Sequence, residues 1–156
     1  MSDRTFYPVQ ADRSITVGAL LGRAAEAGIP ANFTAGSVFS ALVDADAMPR
    51  RVELTIFNPG GSLNQIAGDV LGGLRREDLR PANLHEAVEF ALAHRDALLS
   101  ALPLNVIGSV IRLPNFGPGT TRFAQGFIGD GKGGAVLRLD EHSSFCGPVN
   151  FLAAKL

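Results

Sequence analysis

From Leu104 onward the chain consists of apolar segments separated only by glycine- or proline-bearing turns, with no helical period between them: "LNVIGSVIRL", "TRFAQGFIG", "AVLRLD" and "VNFLAAK". Strands joined by short turns pair antiparallel, because a parallel neighbour needs a crossover of a dozen or more residues. The segment 104–113 is apolar on both faces as far as Arg112, as a central strand is. Before it the pattern is helical. Helices first and hairpin-linked strands last argue an α+β fold. We expect one domain over residues 1–156, with a largely antiparallel sheet of about five or six strands and helices packed on one face.

The front half supplies those helices. Val17, Leu20, Leu21 and Ala24 recur at i, i+3, i+4, i+7 and predict a helix near 14–27, capped by Asp12 or Ser14 and stopped by Gly28 and Pro30. A shorter helix is expected within 32–49. Ser62 with Gln65 reads as a capping box for a helix over 62–74. Asn83 with Glu86 does the same for the longest helix, 83–101, which Pro103 stops. Two strands precede the last third. "TFYPVQA" is confined by Pro8 to an edge or a strand start. Val52, Leu54 and Ile56 alternate with their neighbours up to Asn58-Pro59-Gly60-Gly61. Leu20, Leu54, Ile66, Leu71, Val88, Leu92, Val106 and Val110 are the expected core.

Composition narrows the function. A net charge of −1 leaves no basic excess to neutralise a phosphate backbone, so nucleic acid is not an expected partner. Charged residues are only 19%, which leaves neutral surface of the kind interfaces use and suggests a homo-oligomer or a protein partner. The single cysteine cannot form an internal disulfide. The N-terminal "MSDRTFYPVQADR" lacks an apolar core, and no apolar run approaches a membrane span of about 20 residues. A soluble, cytoplasmic protein without membrane association is expected.

Four stretches invite a chemical reading. "GDGKGG" (129–134) resembles a phosphate loop, but a strand follows it where a phosphate loop needs a helix, so it reads as a hairpin turn with a strong Asp130-Gly131 signal. Asn58, Gly60, Gly61 and Ser62 form an anion-binding candidate, because a strand enters and a capped helix leaves. Cys146 and His142 form a candidate nucleophile–base pair of a small hydrolase. Against it, Cys146 precedes Gly147-Pro148 and an apolar strand, where a lone cysteine is ordinarily a small core residue. Zinc is not expected, since one cysteine and three histidines lack the close pairs of metal sites. Arg50, Arg51, Arg75, Arg76 and Arg80 could gather into a basic patch, although Glu77 and Asp78 among them favour a solvated connection.

"LRPANLHEAVEFALAHRDALL", "VIGSVIRLP" and the terminal "NFLAAK" resemble a pattern in a family of small uncharacterised bacterial proteins. Those proteins have an lRPA-x-L-x-E helix start, an LGSV-like strand and a closing RFLAV strand. The likeness spans about residues 52–155 and, more weakly, the helix near 14–27. The chain departs from the pattern near the closing strand, where Val149-Asn150 precede Phe151 and the expected tryptophans and arginine are missing. The resemblance implies a bacterial single-domain α+β protein and transfers no site residues. The reading as a whole is a non-enzymatic accessory or interaction module without a cofactor. The alternatives are a hydrolase using Cys146 and His142, or an anion or ligand binder at Asn58–Ser62.

Overall fold

The computed structural model describes residues 4–11, 15–32, 51–60, 64–112, 122–141, 144–146 and 150–156. Thirteen elements follow in order: β1 (Tyr7–Gln10), α1 (Val17–Glu26), β2 (Arg51–Phe57), β3 (Asn64–Ile66), α2 (Ala67–Arg76), β4 (Leu79–Pro81), α3 (Leu84–Ala93), α4 (Arg95–Ser100), β5 (Leu104–Arg112), β6 (Arg122–Gly129), β7 (Ala135–Glu141), β8 (Ser144–Cys146) and β9 (Asn150–Lys155). A seven-stranded sheet runs β1-β2-β9-β5-β6-β7, with β4 also paired to β9; β3 and β8 form a separate two-stranded pair. All pairings between named strands are antiparallel except β5 with β9. The expected α+β architecture with a largely antiparallel sheet is therefore observed.

The closing strand β9 lies at the centre of the sheet. Phe151, Leu152, Ala153 and Ala154 are all fully buried, so both faces of the strand are covered. Leu152 and Ala154 join a core with Leu20 and Ala24 of α1, Val88, Phe90 and Ala91 of α3, and Leu98 of α4. Phe151 and Ala153 point the other way, into a second cluster with Val70 and Leu74 of α2 and Phe57 of β2. Strand alternation explains the split, since successive side chains take opposite faces. Helices on one face describes α1, α3 and α4; α2 is added on the opposite face.

Local signals place most elements. Pro8 sits in the edge strand β1, where a missing N–H interrupts no inner ladder. The cap of α1 is Thr16, whose Oγ1 accepts the Ala19 N–H, rather than Asp12 or Ser14. The Asn83–Glu86 capping box is present. The single helix expected over 83–101 breaks at His94 into α3 and α4. The helix expected over 62–74 starts only at Ala67, because Asn64–Ile66 pair with Ser144–Cys146 as a strand. Tertiary pairing overrides the local period there, and Gln65 lies opposite Phe145 instead of in a first helical turn. The helix expected within 32–49 lies outside the described residues. Leu20, Leu54, Val88 and Val106 are buried as expected, and Leu71 and Leu92 are partly buried.

The β6–β7 turn is the hairpin expected from "GDGKGG". Gly131 and Gly133 take positive φ values of 79° and 83°, which side-chain-bearing residues rarely adopt. Asp130 Oδ1 accepts the backbone N–H groups of Lys132 (2.6 Å) and Gly134 (3.0 Å). Those donors stabilise the ionised form and hold the Asp130 carboxyl below the usual carboxylate range.

Candidate functional site

The start of α3, the middle of β5 and the closing strand β9 meet at one point in space. Ala82 stands where the edge of β9 passes from β5 to β4. Its N–H donates to Leu152 O (3.0 Å), and its carbonyl accepts the Gly108 N–H (2.9 Å). Gly108 can do this because β5 bulges: the register with β6 slips between Val106 and Val110. A Cβ built on Gly108 would lie 2.3 Å from Ala82 O and 2.9 Å from the Asn83 nitrogen. Only glycine allows this backbone approach.

Beside this contact Arg80 and Glu86 form a two-pronged ion pair. Arg80 Nη1 donates to Glu86 Oε1 (2.9 Å) and Nη2 to Oε2 (2.6 Å). Glu86 is fully buried and also accepts the Asn83 N–H at 3.0 Å. The paired carboxylate raises the Arg80 pKa above its ordinary value. Removing one partner from such a buried pair strands a charge and costs about 3–5 kcal/mol. Arg80 is thus not a solvated link between helices, as its acidic neighbours in sequence suggested. Glu86 serves two purposes at once, as cap and as counter-ion.

Both described histidines contact backbone carbonyls. The His85 ring Nε2 lies 3.0 Å from Ile15 O, and the His94 Nε2 lies 3.0 Å from Pro8 O. His94 packs against the Tyr7 and Phe90 rings at centroid distances of 5.1 and 5.8 Å. Arg23 pairs with Glu89 between α1 and α3, and Arg95 Nη1 donates to Ala27 O (2.6 Å). No group of three His, Cys, Asp or Glu side chains able to hold a metal is found among the described residues.

Of the candidate pair, His142 lies outside the described residues. Cys146 ends β8, opposite Asn64. Of the anion candidate, Gly61 and Ser62 lie outside the described residues. Asn58 Oδ1 accepts the Gly60 N–H (2.8 Å), and its Nδ2 donates to Asn150 Oδ1 (3.0 Å). β3, not a helix, follows this turn, so the strand–turn–helix geometry that favours an anion is not what surrounds Asn58 and Gly60.

Two open clefts flank β2. One, of about 430 Å³, is lined by Arg4, Thr5, Tyr7, Thr55, Ile56, Asn58 and Glu77. Arg4 is ion-paired to Glu77 there, and Thr55 Oγ1 donates to Thr5 O (2.8 Å). The other, of about 490 Å³, lies past the end of β9 and gathers Arg51, Glu53, Arg80 and Lys155 beside Val52 and Leu156. The sequence named Arg51 and Arg80 as potential neighbours; the antiparallel placement of β2 and β4 on either side of β9 brings them together. Lys155 was not foreseen, since nothing local to "NFLAAK" signals the partners of its last lysine. No helix among the described residues is long and apolar enough to cross a membrane. Comparison with protein-family models, curated proteins and solved structures returns no match.

Proposed function

We propose that the chain is a non-enzymatic binding or accessory module of the cytoplasm, and that its likeness to small bacterial proteins reflects a shared scaffold. The observation that carries this reading is the use made of Glu86. It is the one acidic side chain fully buried among the described residues, and its bonds to Arg80 and to the Asn83 N–H stabilise the chain itself. A general base faces a cleft and keeps a free lone pair for a substrate proton. Here the carboxylate points inward onto Arg80 and the Asn83 N–H.

Self-association fits the low charge content, and its route is constrained. At the β1 edge Pro8 has no N–H and its carbonyl faces His94. At the β7 edge both main-chain groups of Leu137 are taken by Pro30 and Asn32. Blunted edges disfavour strand-to-strand pairing, so copies would meet through side chains. Light scattering behind a sizing column tests this: a concentration-dependent dimer or larger species is expected, and a monomer at every concentration would remove self-association. Iodoacetamide labelling tests the non-enzymatic reading. Cys146 is expected to react no faster than an ordinary thiol; a hyper-reactive Cys146 slowed by His142→Ala would overturn it.

A further inference from the structure

β1 is shorter than the strand it covers. It pairs with β2 from Arg51 to Leu54, whereas β9 pairs with β2 from Leu54 to Phe57. Among the described residues, β2 therefore has a ladder partner on the β9 side alone from Thr55 to Phe57. Continued by two residues, the register would set Thr5 opposite Ile56, but residues 4–6 belong to no strand. Thr5 O instead accepts the Thr55 hydroxyl at 2.8 Å. The Arg4 guanidinium lies 5.7 Å from the centre of the Phe57 ring and pairs with Glu77. Thr55 and Phe57 share one face of β2, the face of the second cluster. The segment before β1 thus lies over that face and leaves the edge of β2 beside Ile56 uncovered.

Two neighbouring strands independently fix where the Ile56 backbone points. Pro8 has no N–H and its carbonyl faces His94, so Pro8 and Glu53 exchange no bonds. Bonded and unbonded pairs alternate along an antiparallel ladder. Tyr7 and Leu54 are then a bonded pair, and the main-chain groups of Leu54 and Ile56 turn toward the β1 side. From the other side, Leu152 stands opposite Ile56 and gives its carbonyl to Ala82, away from β2. The N–H and carbonyl of Ile56 therefore face the cleft of about 430 Å³ that Thr5, Tyr7 and Asn58 also line. Neither group is bonded among the described residues. Pro8 blunts β1, but it does not blunt this stretch of β2.

We propose that Ile56 receives the end of an extended polypeptide, one residue of which exchanges both N–H···O bonds with it. A donor and an acceptor set at strand spacing match a peptide backbone, as when a strand is added to a sheet edge. β1 closes the edge from Leu54 onward, so a chain end fits where a continuous strand does not. The residue opposite Ile56 lays its side chain on the core face, beside the partly buried Ile56 and Tyr7, and is apolar. Its neighbours in the ligand fall on the face of Thr55 and of the Arg4–Glu77 pair, and are polar. Two bonds and one covered apolar side chain support binding on the order of millimolar. This assigns a partner class to the binding-module reading and rests on it; labelling of Cys146 tests that reading separately.

Amide hydrogen exchange followed by NMR tests the open edge. The Ile56 N–H should exchange faster than those of Thr55 and Phe57, which face β9; equal protection at Ile56 would overturn the site. The blocked peptide acetyl-Thr-Val-Thr-amide is then titrated in parallel with an analogue N-methylated at valine. The unmethylated peptide should move the Ile56 amide resonance, and at half saturation it should slow Ile56 exchange about twofold. N-methylation removes the donor and should abolish both effects. No response to the peptide at about ten millimolar, or an equal response to the methylated analogue, overturns the site.

Discussion

Gly108→Ala is the sharpest test of the junction at Ala82. The added Cβ would stand 2.3 Å from Ala82 O and 2.6 Å from its carbonyl carbon, where real contacts stay beyond 3.0 Å. Neither atom can swing aside, because both are backbone. Ala82 is also held by its bond to Leu152 O and by the Asn83 cap that follows it. Overpacking of this kind costs about 1–3 kcal/mol. The Gly108 N–H to Ala82 O bond contributes roughly another 0.5–1.5 kcal/mol if lost. Against this, alanine narrows the unfolded ensemble and returns about 0.4–1 kcal/mol. The net expectation is a loss of about 2 kcal/mol, or roughly 4–8 °C in melting temperature for a domain this size. The chain has no tryptophan and one tyrosine, so far-UV circular dichroism during urea unfolding is the suitable probe. A Gly108→Ala protein within about 0.5 kcal/mol of wild type, with an unchanged urea slope, would refute the close approach and with it the bulge.

Gly22→Ala is the opposite case: nothing lies within 4 Å of the added Cβ in α1, so the variant should gain about 0.5–1 kcal/mol in the same assay. Arg80→Met leaves Glu86 buried without its counter-ion and should cost about 3–5 kcal/mol, whereas Arg80→Met with Glu86→Leu should recover much of that loss; equal losses in single and double variants would show that the pair is not coupled. Asp130 is held below the usual carboxylate range by two backbone donors, so its contribution is complete above the ordinary aspartate pKa and fades as pH falls through the lowered folded value. Asp130→Asn should flatten that part of the acid limb in a pH series of urea unfolding curves, and an unchanged limb would discount the loop's two bonds. Thr16→Ala removes the α1 cap and should cost about 1 kcal/mol.

Where a signal and its consequence lie within a few residues, the sequence alone was sufficient. The Asn83–Glu86 cap closes over three residues, the Asp130–Gly134 turn over four, and the Pro8 edge and the β2 alternation are local patterns. The α+β class follows from those pieces. The helix over 62–74 failed for the complementary reason: β8, some eighty residues later, claims Asn64–Ile66, and no local period reports a remote partner. The same holds for chemistry. Glu86 was legible as a cap but not as the counter-ion of Arg80, because the burial that makes the pair necessary comes from the surrounding core. Gly108 lies inside a segment legible only as an apolar central strand, and its purpose required Ala82 to be in place. The cleft past the end of β9 was the least legible feature. Arg51, Arg80 and Lys155 are scattered over a hundred residues of chain and line one cleft only because β9 enters the sheet between β2 and β4. Local bonding wrote the elements; long-range strand pairing decided which charges share a space.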